Sequence, residues 1–321
     1  MRYPGALSIA AALLLLGSVQ NGSTTEMNKV STLPPIDSLW DYWDPAATRA
    51  KFEEIRPAAG KSSDRSYYLQ LLTQIARTFG LESAFDRAHA VLDTVQQALP
   101  DAPQIVRVRY LLERGRAFRS SGSPEKAQPL FEEAYKISGD IGADFYTIDA
   151  AHMASLAVSE WKDKLKWNLI GVEIAEKTTD ERARGWLSSL YNNIGWDYHD
   201  QKEYEQALEM FDKALAFRIE QGKPKEIGIA KWSVARALRS LERYDEALNI
   251  QLALKAENDS TGQQDGFVHE ELGELYLVLG KPELSRQSFA AAYTELVKDE
   301  WFVKNESARL ERIKTLSKAK E

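Results

Sequence analysis

The stretch His269-Glu270-Glu271 is the nearest approach to a catalytic signature in this 321-residue chain. A zinc-peptidase helix opens in this way, but it needs a second histidine four residues after the first so that two ligands share one face. Position 273 is Gly273, so that pair is missing. His89, His152 and His199 stand singly in other segments, and such scattering gives no metal-ligand set. Asp197 and Asp200 flank His199, which makes acid–base chemistry only where a pocket gathers them. Phosphate-cradling, nucleophile-elbow and calcium-loop patterns are absent from the sequence. With no cysteine there is no thiol catalysis, no disulfide and no zinc–thiolate site. These residues predict a protein that is not an enzyme and needs no metal or cofactor.

The bulk composition suits a folded chain, with 44% hydrophobic and 28% charged residues. A net charge of −7 gives no basic footprint for nucleic acid. Residues 1–26 carry Arg2 and an apolar run from Ala6 to Leu16, the length of a signal-peptide core and too short to span a bilayer. Gly17-Ser18-Val19-Gln20-Asn21 offers no good pair of small residues for cleavage, and Met27 opens a segment that reads as a second start. Two readings stay open: export to the periplasm or beyond, or a cytoplasmic protein beginning at Met27. No later stretch approaches the ~20 apolar residues of a membrane span.

The elements that must position any site repeat along the chain. Gly195 is followed by Tyr198, Ala207, Phe211 and Ala214; Gly115 by Phe118, Ala127, Phe131 and Ala134; Gly273 by Tyr276, Ser285, Phe289 and Ala292. Ala76 (with Phe79, Ala88, Leu92, Val95) and Ala235 (with Leu238, Ala247, Gln251, Leu254) follow the same spacing less strictly. A unit of about 40 residues is the mark of a stacked repeat array. Apolar residues within units fall at helical spacing, as in Leu208, Phe211, Leu215 and Ile219. Turns are expected at Gly80-Leu81-Glu82, Ser121 to Pro124, Gln201-Lys202-Glu203, Leu241-Glu242-Arg243 and Gly280-Lys281-Pro282. Longer breaks are expected at Pro100 to Pro103, Ser138-Gly139-Asp140, Gln221 to Pro224 and Asp259 to Gly262. The fold class is all-α.

Ahead of the array, residues 27–64 read as an N-terminal cap helix and linker. Leu33-Pro34-Pro35 is an extended lead-in and Asp44-Pro45 starts a helix over Ala46 to Ile55. Trp40, Tyr42 and Trp43 are expected to cover the open end of the stack, and Ala58 to Ser63 to link onward. Residues 299–321 read as a C-terminal capping helix over Ser307 to Lys318.

Tyr191-Asn192-Asn193-Ile194-Gly195-Trp196-Asp197-Tyr198, then Tyr204 to Leu208 and Phe211 to Leu215, resembles a tetratricopeptide repeat. Leu272 to Tyr276 with Gly280 and Phe289, and Arg114-Gly115 with Gly122 and Phe131, are similar. Between Gly115 and Gly195 the gap is two units long and implies a degenerate unit, small at His152 and Gly171, with Lys164 and Asn168 where the pattern wants alanine and an aromatic. The resemblance covers residues 65–298, about six repeats with the third degenerate. It implies a tetratricopeptide-type α-solenoid, a right-handed superhelix of antiparallel helix pairs. The spacing of 37–43 residues exceeds the usual 34 and implies longer helices. End to end the chain also resembles bacterial tetratricopeptide proteins without an assigned function.

In such repeats the first helix of each pair lines a groove. The resemblance places Arg77, Arg109, Arg116, Arg119, Asn192, Asn193, Trp196, Trp232, Arg236 and Arg239 there. Arginine suits carboxylates because its planar fork makes two charge-assisted hydrogen bonds at once. Asn193 stands where peptide-binding repeats grip an extended backbone, and the two tryptophans are candidate anchors. The expected function is a scaffold or adaptor binding an acidic peptide or a C-terminus. The alternatives are a sensor for a small anionic ligand or signalling peptide, and arginines that only brace the stack against acids such as Glu113 or Asp149.

Overall fold

The structure is a computed structural model describing residues 33–318; both readings of residues 1–26 therefore fall outside the described residues. All regular structure among the described residues is helical. They form two compact units, residues 33–190 and 191–318, and the division falls within the helix Leu187–Asp200.

The first unit opens with a 3-10 turn, Ile36–Leu39, and α1 (Pro45–Lys61). Three pairs follow: α2 (Arg65–Leu81) with α3 (Phe85–Ala98), α4 (Gln104–Ser120) with α5 (Pro124–Asp140), and α6 (Asp144–Ala157) with α7 (Trp161–Lys177). α8 (Glu181–Arg184) and the start of α9 (Leu187–Asp200) complete it. α2 also packs on α4 and α4 on α6, so the first helices of successive pairs are neighbours. Asp44 and Asp64 accept hydrogen bonds from Ala47 N and Tyr67 N and cap the free amides of α1 and α2.

The second unit contains the rest of α9, then α10 (Tyr204–Gln221), α11 (Pro224–Ser240) with α12 (Tyr244–Ser260), and α13 (Gly266–Val278) with α14 (Pro282–Leu296). α15 (Glu300–Asn305) and α16 (Ser307–Leu316) end it, α16 packing on α14.

The repeated small residue has a direct steric cause. A Cβ on Gly115 would lie 2.4 Å from Phe131, one on Gly195 2.5 Å from Phe211, and one on Gly273 2.9 Å from Phe289. Each phenylalanine is fully buried, its ring against the backbone of the partner helix. The degenerate unit keeps the same offset with different chemistry: His152 and Asn168 are both buried and hydrogen-bonded to each other. In the Ala235 unit the aromatic's place is taken by the buried Gln251.

Several expectations need correction. Ala58 to Lys61 is not linker: α1 runs through it, with Pro57 inside, because alanines favour helix and only one amide is lost at the proline. The break expected at Ser138 to Asp140 lies after Asp140, at Ile141-Gly142-Ala143, with Gly142 at φ +65°. The turns expected at Gln201-Lys202-Glu203 and Leu241-Glu242-Arg243 are present, with Lys202 and Glu242 in the left-handed position (φ +65° and +61°) where Gly122 and Gly280 stand in other repeats. Trp40 is buried against the first repeat and stacks on Tyr42 at 4.6 Å, whereas Trp43 is 63% exposed.

Candidate functional site

In residues 33–190 the first helices carry a chain of ion pairs. Arg77 on α2 donates from Nη1 to Glu113 on α4 at 3.1 Å. Glu113 also accepts from Arg116 at 2.8 Å, and Arg116 reaches Asp149 on α6 at 2.6 Å. Arg109 donates to Asp37 (2.7 Å) and Tyr146 Oη (2.9 Å), and Arg182 takes the other Asp37 oxygen at 2.9 Å. Burial alone would raise the Asp37 pKa; the two guanidiniums overcome this and hold it below the usual carboxylate range. Arg119 donates from Nε to the Leu156 carbonyl at 3.0 Å. Four of the arginines assigned to the groove thus lie together on one face, three of them joined to carboxylates of the same unit.

Residues 191–318 repeat the theme more sparingly. Arg239 on α11 donates from Nε and Nη2 to the two oxygens of Glu271 on α13, the second at 3.1 Å. Arg236, one turn earlier, has its Nε 3.9 Å from Glu271 and gives Nη1 to Ser240 Oγ at 2.8 Å. Ser240 Oγ also meets His199 Nε2 at 2.9 Å. Burial lowers the Arg236 pKa despite Glu271, whereas for Arg239 the same burial is outweighed by Glu271 and the pKa is raised.

Asn192 Oδ1 lies 3.5 Å from Ser233 Oγ. Trp196 and Trp232 are buried, their ring centroids 6.0 Å apart, and Trp232 Nε1 donates to the Phe267 carbonyl at 3.1 Å. The two indoles therefore wall the face and do not stand out from it as anchors. Arg309 and Arg312 of α16, which the sequence reading passed over, clamp Glu270 and Glu274 of α13; the Arg309 fork spans 2.6 and 2.7 Å. Asp37 and Glu271 were missed as well, and only Glu113 and Asp149 were foreseen as partners.

No group of three or more His, Asp and Glu among the described residues is placed to hold a metal ion, and no helix there is long and apolar enough to cross a membrane.

Residues 186–256, which contain the Gly195–Phe211 contact, match the family model for the tetratricopeptide repeat. That segment is therefore similar to the tetratricopeptide repeat family. Solved structures agree over more of the chain's length. The apo form of RapI superposes at TM-score 0.69 and 12% identity, covering 88% of this chain and 81% of its own. NprR in complex with its cognate peptide NprX gives 0.54 at 14% identity, covering 88% and 84%. BtubC from P. vanneervenii gives 0.57 at 17% identity, covering 68% and 91%. Likeness at this identity establishes the fold, a tetratricopeptide-type α-solenoid. Among curated proteins no sequence matches the chain.

Proposed function

We propose that this repeat protein is a non-enzymatic interaction scaffold whose first-helix face in residues 191–318 binds an acidic peptide or a free C-terminus. Arg236 carries the reading. Its guanidinium is three-quarters buried with Glu271 at 3.9 Å, and Arg239 already engages both oxygens of that carboxylate. A buried cation compensated so loosely gains from an incoming carboxylate, because a charge-assisted pair inside a partly dry site contributes about 1.5–3 kcal/mol. Asn192 and Asn193, on the preceding first helix, bring amides able to serve both the N–H and the C=O of one peptide residue. The solved complex of NprR with NprX is a protein of like fold holding a peptide, which supports a peptide as the ligand class. Two such contacts supply about 3–6 kcal/mol, a part of the roughly 8 kcal/mol that micromolar affinity requires.

The bound sequences follow from a peptide display library selected on the full chain. Enrichment of Asp, Glu or an unblocked C-terminus is expected; recovery of basic or wholly apolar sequences would refute the acidic ligand.

A further inference from the structure

Residues 33–43 lie on the first-helix face of the first unit as a ligand would. Tyr67 Oη of α2 donates to the Pro34 carbonyl at 2.7 Å, and Trp40 Nε1 donates to Gln74 Oε1 at 3.1 Å. Asp37 is held by Arg109 of α4 and Arg182 of α8 at 2.7 and 2.9 Å. Arg77 lies over the Trp40 and Tyr42 rings, 5.9 and 5.4 Å from their centroids. An acidic residue and an aromatic three positions later thus fill one charged and one apolar subsite.

Two further observations say that this occupant is exchangeable. Apart from the Pro34 carbonyl, which accepts from Tyr67, the backbone groups of Ser38, Asp41 and Trp43 bond locally: Ser38 N to Pro35 O, Trp43 N to Asp41 Oδ1, and Asp41 with Thr48 of α1. Onto α2, α4 and α8 its hydrogen bonds run through side chains of the stack. Moreover, the Nε–H groups of Arg77 and Arg109, both buried, meet no acceptor among the described residues. A site built around its own segment alone would be expected to use both donors, since a buried donor without an acceptor is costly.

We propose that the face shared by α2 and α4 is a docking site for peptides carrying an acidic residue three positions before an aromatic, and that residues 33–43 occupy it in cis until such a partner displaces them. This stands apart from the reading of residues 191–318, since it involves other arginines.

The test uses a fluorescein-labelled synthetic peptide of residues 33–43, titrated by anisotropy into the full chain and into the full-length variant Asp37→Lys. The variant sets a like charge beside Arg109 and Arg182 and loosens the cis segment. It is expected to bind the peptide at least about ten-fold more tightly than the unmodified chain. The same peptide with lysine in place of Asp37 is expected to bind neither. Equal binding to both chains would overturn the proposal. So would loss of helical circular dichroism in both Asp37→Lys and Asp37→Asn, which would make the segment an integral cap. A concentration-dependent dimer of the unmodified chain without peptide binding would assign the face to a second copy and overturn it too.

Discussion

Arg77 and Glu113 face each other across two neighbouring first helices, guanidinium to carboxylate at 3.1 Å, with both side chains almost wholly buried. Glu113 serves Arg116 as well, so one carboxylate balances two cations. Removing one partner of a buried pair leaves the other charge uncompensated, which costs far more than the pair itself contributes. Glu113→Ala is therefore expected to lower unfolding free energy by about 3–5 kcal/mol, measured by urea denaturation followed at 222 nm. A loss under about 1 kcal/mol would mean that the network does not brace the helices.

Gly195 and Gly80 both sit in helices but in opposite surroundings. A Cβ on Gly195 meets the Phe211 ring at 2.5 Å, while one on Gly80 meets nothing within 4 Å. Gly195→Ala is expected to destabilise by about 1–3 kcal/mol through overpacking. Gly80→Ala is expected to be neutral or stabilising by up to about 1 kcal/mol, because alanine is the better helix former. Thermal melts of the two variants side by side distinguish contact from backbone propensity.

How far this could be read in advance follows from the range of each interaction. The glycine–phenylalanine contact joins residues sixteen apart in consecutive helices, so its periodicity shows directly in the sequence, and the helix pairs with it. The same offset located the His152–Asn168 contact in the unit with no consensus residue. Ion pairs such as Arg77–Glu113, Arg239–Glu271 and Arg309–Glu270 join positions 32 to 39 apart, and Asp37 with Arg109 is separated by 72. Their partners depend on which rotamer crosses between helices, which no spacing rule records. Glu271, Asp37, Arg309 and Arg312 were therefore not legible as partners. The burial of Trp196 and Trp232 was equally hidden, since each covers the other from neighbouring repeats.

Gln251 occupies the place of Phe131, Phe211 and Phe289, fully buried, and neither its Oε1 nor its Nε2 meets a partner among the described residues. Gln251→Leu removes a buried amide from an apolar site of similar volume. It is expected to raise stability by about 1–3 kcal/mol, seen as a higher urea midpoint with an unchanged slope. A lower midpoint would show that the amide is satisfied in solution.

Stability should also fall with acid. Burial pushes the His152 pKa down to about 4, helped by Arg116 and Arg119 and opposed by Asp149. The unfolded chain takes up this proton near pH 6.5, well before the folded one does. The contribution of neutral His152 is complete above that pH and is lost progressively down to about pH 4, by up to about 3 kcal/mol. His89, His199 and His269 are shifted the same way, burial leading in each. His152→Gln is expected to flatten the fall in urea midpoint between pH 7 and 4.5; an unchanged slope would remove His152 from the effect.

The proposed role rests on the loosely compensated guanidinium of Arg236, and calorimetry of a library-selected acidic peptide against the full chain tests it most directly. Arg236→Ala is expected to weaken binding at least about ten-fold, Arg236→Lys to restore part of the loss, and Arg119→Ala, in the other unit, to change nothing. Identical affinity for the unmodified chain and Arg236→Ala would contradict peptide recognition at this face.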